Sequence, residues 1–279
     1  MSANVPEPPA AVAGDATTGG RRRGPRRWWG AAAIVVLLAG VLLIRLGGNG
    51  GGSALPSVVD TGAGLLTPGP SPVAGAPVFD AASLDSLFVA PATLEDVVPA
   101  AEDGVEEVGP VGGTWGLAEG ESVAPASCAA AATVVEAPPV AFDERSWGND
   151  RVVFEQQATL LESTATAEQA FRTLVTVVDA CPEYLLLGPA GESSVVASPA
   201  IEDQGFFPSL AQAVDFAAPG AAPQAQFHGH LLVGNVIVTW TASVDAGGDA
   251  AKARQQLGTE AELDAMMQAQ VRSAASALP

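Results

Sequence analysis

The sequence predicts an α+β domain, a largely antiparallel sheet with packed helices, carried behind a single-pass N-terminal transmembrane helix. Three observations predict this. WWGAAAIVVLLAGVLLIRL (28–46) is the one long apolar run in 279 residues, and its ~19 residues fall within the ~17–25 that span a bilayer as a helix. HLLVGNVIVTWTAS alternates in character on both sides of Gly234-Asn235, the pattern of a hairpin with a two-residue turn. Apolar stripes at helical spacing recur at Ala167, Ala170, Phe171, Leu174, Val177 and Val178, and again at Leu263, Met266, Met267, Gln270, Val271 and Ala274.

Five arginines, Arg21, Arg22, Arg23, Arg26 and Arg27, precede the apolar run. The positive-inside rule therefore places residues 1–27 in the cytoplasm and the rest outside the cell membrane. Trp28 and Trp29 suit one interface, and Arg45 snorkels to the other. A cleaved signal peptide is the competing reading, but the leader is long and no small-residue cleavage site follows closely. Residues 1–27 read as a disordered tail. Residues 47–80, rich in Gly, Pro, Ser and Ala, read as a linker with an end-to-end distance on the order of 30 Å. Residues 81–279 form the extracytoplasmic domain.

The net charge of −19 is unevenly spread. Two of the 31 acids and six of the 12 bases precede Gly47, leaving 29 acids against 6 bases outside. Such a surface repels nucleic-acid phosphates, so nucleic acid is excluded as a partner. The expected partners are the bilayer, through the one helix, and an envelope ligand or protein.

Along the domain, 81–100 gives two short helical pieces broken at Pro91, the second starting from Thr93. GVEEVGPV (104–111) reads as a strand. CAAAATVVEAP, from Cys128, reads as another strand ending before Pro138. DRVVFEQQATLLES (150–163) alternates as a half-buried strand does. Thr166 and Gln169 have capping-box spacing at the start of the long helix, which Pro182 stops. EYLLL and SSVVAS are strands. Near the C-terminus a short helix over 249–257 stops at Gly258, and Thr259 with Glu262 caps the last helix.

Cys128 and Cys181 are the only cysteines, and both lie on the external side. An even count in an oxidising compartment favours a disulfide over two buried free thiols, and two cysteines are too few for a metal site. The remaining candidate residues are weak ligand-binding ones. His228 and His230 share a strand face, where they could take a metal or register acidification near pH 6–6.5, although an exposed strand face explains them as well. Trp147 sits in DERSWGND (143–150), read as an acidic loop whose Asp143, Glu144, Asn149 and Asp150 match no calcium-loop spacing. No nucleophile elbow, HExxH or phosphate loop occurs, so no cofactor, metal or catalytic residue is assigned.

The domain resembles the extracellular sensor-like domain of actinobacterial membrane proteins, including the C-terminal part of some receptor serine/threonine kinases. LDSLFVAPATLEDVV is similar to that family's opening pattern. SWGNDRVVFEQQATLLESTATAEQAFRTLVTVVDAC resembles its tryptophan, strand and helix segment, and HLLVGNVIVTWTAS its hairpin; together these cover roughly 83–275. The resemblance implies a sheet with packed helices, a cleft for an unidentified ligand, and a disulfide joining Cys128 to Cys181. The chain departs from the family at a second cysteine pair, whose places fall near Phe227 or His228 and near Ala242, and at Val178, where the family has tryptophan. No kinase domain precedes the apolar run. The expected function is ligand or partner binding without catalysis; the rivals are an envelope hydrolase with a carboxylate site and a protein-interaction module.

Overall fold

Alternation around Gly234-Asn235 builds the centre of the sheet. In a computed structural model, which describes residues 76–278 apart from Pro110, Val111, Gln204, Asp245 and Ala246, strand β9 (Gln224–Val233) turns into β10 (Val236–Val244) through these two residues. Gly234 takes φ 61°, and Asn235 does not share the positive φ, the pattern of a type II′ turn. All described residues fall in one compact unit, Thr67–Pro279. The predicted tail, transmembrane helix and most of the linker lie outside the described residues. Among those described, no helix is long and apolar enough to cross a membrane.

The other strands are β1 (Glu106–Glu107), β2 (Ser122–Ala124), β3 (Ala141–Gly148), β4 (Val152–Leu160), β5 (Glu183–Gly188), β6 (Gly191–Ala197), β7 (Ile201–Asp203) and β8 (Ser209–Ala217). They pair antiparallel in the order β1-β3-β4-β10-β9-β8-β6-β5-β2, with β7 also on β8. The helices are α1 (Pro91–Val97), α2 (Ala129–Thr133), α3 (Thr164–Ala180), α4 (Ala250–Leu257) and α5 (Glu260–Ala277).

Side chains of a strand alternate between the two faces of its sheet. One face carries Phe154, Leu231, Val238 and Trp240, buried under α4, α5 and the N-terminal pieces. The other carries Leu210 and Ile237, buried under Ala167, Phe171, Leu174 and Val178 of α3. Trp240 lies opposite Gly229, where an added Cβ would sit 2.2 Å from the indole. A glycine is required there for the ring to lie across β9.

Several local expectations change. Cys128 ends a 3-10 turn (Ala126–Cys128), and the residues after it form helix α2, not a strand. Four consecutive alanines favour a helix, and the valines that suggested a strand lie beyond its end. DERSWGND is largely strand β3, not a loop, because its backbone pairs with β4 on one side and β1 on the other. Of the stretch expected as a strand over 104–111, Glu106–Glu107 forms a strand, and the Val108 N–H still donates to the Ser146 carbonyl on β3. The two short helical pieces expected over 81–100 are present, a 3-10 turn (Leu84–Leu87) and α1, but α1 starts at Pro91 and not at Thr93, as the fixed φ of proline suits a first helical residue. Ser163, not Thr166, caps α3 by accepting from the Thr166 N–H. The predicted capping box of Thr259 and Glu262 is present on α5. The core also begins earlier than residue 81: Phe79 is buried, and Asn235 holds its backbone.

Candidate functional site

A cleft of about 830 Å³ opens between the segment after α2 and the N-terminal half of α3. Its shape starts at Val134. This residue has φ 67° and ψ −44°, and the Val135 N–H donates to the Thr133 carbonyl at 2.8 Å. Those angles and that bond make a γ-turn of the rare, strained kind. A β-branched residue there costs about 1–3 kcal/mol and persists only where its surroundings enforce it.

The enforcement is visible. Val134 and Val135 are buried against the α3 stripe. The Trp115 indole N–H donates to the Thr133 carbonyl at 3.1 Å, and the Thr133 hydroxyl lies within donating distance of the Ala129 and Val135 carbonyls. The disulfide between Cys128 and Cys181, with Cα atoms 5.8 Å apart, ties the start of α2 to the end of α3. Pro138 and Pro139, with φ fixed by their rings, then line the cleft.

The cleft is walled by Val134, Val135, the two prolines, Leu161 and Ala170, with Thr166, Gln169 and Thr173 as neutral polar groups. Thr173 donates to the Gln169 carbonyl and Thr166 pairs with Ser163, so both hydroxyls are engaged within α3. Two carboxylates, Glu136 and Glu162, reach it from exposed positions. No histidine, cysteine or serine lines it. Such walls can take an apolar body with a few hydrogen-bonding groups.

The sequence-predicted candidates lie elsewhere. Trp147 is a core residue, 4% exposed, packed between Phe88 and Phe154 on the opposite face of the sheet. Asp143 and Glu144, as neighbours on β3, point to opposite faces. Asn149 spends its side chain on backbone groups, donating to the Ala100 and Gly104 carbonyls and accepting from the Arg151 and Val152 N–H groups. The acids of this segment therefore do not converge.

His228 and His230 do share a face, the one α3 covers further along, but it is not an exposed face. His230 is buried and its Nδ1 lies 3.0 Å from the Thr239 hydroxyl; His228 is half-buried, its Nε2 2.9 Å from the Gln226 side chain. Burial lowers His228 to about 4 and, helped by His228 beside it, His230 to about 3. Both are neutral at pH 6–6.5, which removes the expected response to acidification there. The cleft residues carried no motif in the sequence; the alanine run followed by Pro138-Pro139 was the only local sign of a turn at this place.

No protein-family model and no curated protein sequence matches this chain. Solved structures are similar to it, two mycobacterial ones among them. One is the extracellular domain of PknH from Mycobacterium tuberculosis, with TM-score 0.54 and 10% identity, covering 72% of this chain and 99% of that one. The other is a putative uncharacterized protein from Mycobacterium smegmatis, with TM-score 0.36 and 17% identity, covering 63% and 97%. At the level of fold, the described domain is that of the PknH extracellular domain, which agrees with the resemblance its sequence bears to actinobacterial extracellular sensor-like domains.

Proposed function

We propose that this chain is a membrane-anchored, extracytoplasmic binding protein whose domain takes a largely apolar ligand in the cleft between Val134 and α3. The 28–46 helix anchors it, the residues from 47 to about 75 tether it, and it carries no catalysis of its own. The observation that carries this reading is the strained Val134 turn held at the wall of the 830 Å³ cleft: backbone strain of this kind concentrates at ligand-binding positions. The extracellular origin of the PknH domain and the disulfide, a bond of oxidising compartments, support the placement outside the cell.

The test uses residues 67–279, a unit with its own core, and Nile red, a neutral apolar dye that fits the volume. Its fluorescence should rise saturably with protein, and Ala170→Trp, which fills the cleft from a half-buried position, should remove at least nine-tenths of that rise. An unchanged titration in the variant overturns the reading. Hydrolysis of a glycan or ester that Glu136→Gln or Glu162→Gln abolishes would replace it with the hydrolase.

A further inference from the structure

On the sheet face opposite α3, a second cleft of about 390 Å³ separates the β7–β8 segment from α5. Its two walls are locked together by side chains. The Gln268 amide brackets Phe207, accepting from its N–H at 3.0 Å and donating to its carbonyl at 2.8 Å. Gln268 also donates to the Ser209 hydroxyl at 3.3 Å, and that hydroxyl donates to Asp264 Oδ2 at 2.9 Å. The other carboxylate oxygen of Asp264, Oδ1, has no hydrogen-bond partner although the residue is only 7% exposed.

A buried acceptor without a donor is costly, and more so when it carries charge. Burial raises the Asp264 carboxyl above its usual range; the hydrogen bonds from Ser209 and Gln268 oppose the rise, and Asp203 nearby adds to it. The lining carries three carboxyl groups, Asp203, Glu260 and Asp264, against one base, Arg272. Arg272 does not meet Asp264; its guanidinium rests 4.6 Å from the Phe206 ring centre. Beside these charges the walls are apolar and open, with Ile201 60% and Phe206 62% exposed.

An unsatisfied carboxylate oxygen, an excess of negative charge and an exposed aromatic side chain in one cleft form a complement to one chemistry. We propose that this cleft is a second binding site, for a primary ammonium group carried on an apolar body. The ammonium is attracted by Asp203, Glu260 and Asp264, and the body lies against Phe206 and Ile201. A free amine and a lysine side chain on a peptide both present this group. Benzylamine represents the first, and N-acetyl-phenylalanyl-lysine amide the second.

Calorimetric titration of the full chain in detergent should show saturable one-to-one binding of at least one of the two, and the tighter one identifies the source. Benzyl alcohol, which has the same ring without the charge, should bind at least tenfold more weakly than benzylamine. Asp264→Asn should weaken binding at least tenfold. Phe206→Ala, at a position too exposed to matter for folding, should weaken it severalfold. Ala170→Trp, in the other cleft, should leave it unchanged, so this site and the Val134 cleft can fail separately. No binding of either probe, equal binding of benzyl alcohol, or binding unchanged in Asp264→Asn overturns the proposal.

Discussion

Three side-chain amides pin distant segments by imitating a backbone partner. Asn235 brackets Phe79, Gln156 accepts from the Val89 N–H and donates to the Leu87 carbonyl, and Gln268 brackets Phe207. Each satisfies buried backbone groups that sheet pairing leaves out. The buried histidines have a different consequence. Their folded-state pKa values, about 4 and about 3, lie below the ordinary 6.5. The unfolded chain therefore takes up protons near pH 6.5 that the folded one refuses, and stability present above pH 6.5 is lost as pH falls toward 4. Each histidine contributes a slope of about 1.4 kcal/mol per pH unit in that window. We expect the urea midpoint of 67–279 to fall between pH 6.5 and 5, and His230→Gln, which keeps a partner for Thr239, to reduce that slope by about one proton. An equal slope in wild type and variant would mean that His230 titrates freely in the folded state.

At the scale of elements, the disulfide joins helix to helix. A strand opening at Cys128, as the sequence predicts, would have the bond clamp α3 onto the sheet; with Cys128 leading into α2, the bond instead sets how α2 and its γ-turn lie along α3. The sequence separation of 53 corresponds to about 4 kcal/mol on the chain-entropy account. Replacing both cysteines with alanine should lower the unfolding free energy by about that amount, measured by urea denaturation. The fold should survive, because the α3 stripe and the β9–β10 hairpin have their own buried contacts. Native wild-type protein should label with no thiol reagent; two reactive thiols would show an unbonded pair.

For the molecule as a whole, the proposed topology makes a direct prediction. Protease added to intact cells should remove the acidic domain and spare an epitope placed before Arg21, because the arginine cluster holds that end inside. Protection of the domain would reverse the orientation, and a mature chain starting near residue 50 would show a cleaved signal peptide instead. In that proposed topology the asymmetry of charge has a consequence too: a domain with a strong negative excess repels anionic lipid headgroups, which would leave the linker, and not a basic surface, to set its distance from the bilayer.

Local pattern alone determined the elements whose signals are contiguous. The hairpin at Gly234-Asn235, the alternating β4, the α3 stripe and the Thr259–Glu262 cap all lie where the sequence predicts them, since period and capping act over a few residues. Oxidising context and an even cysteine count pointed to the Cys128–Cys181 bond before any geometry. Tertiary structure alone decided the rest. Strand β3, with its many charged residues, is a strand because β4 and β1 offer its backbone partners, and no local polarity encodes that. His228 and His230 share a face in any strand; only the packed molecule shows that the face is covered. Both clefts join residues far apart in the chain, Val134 with Gln169 and Asp203 with Asp264. A binding surface is a property of the space between elements, and that space exists only once the sheet has set where α3 and α5 lie.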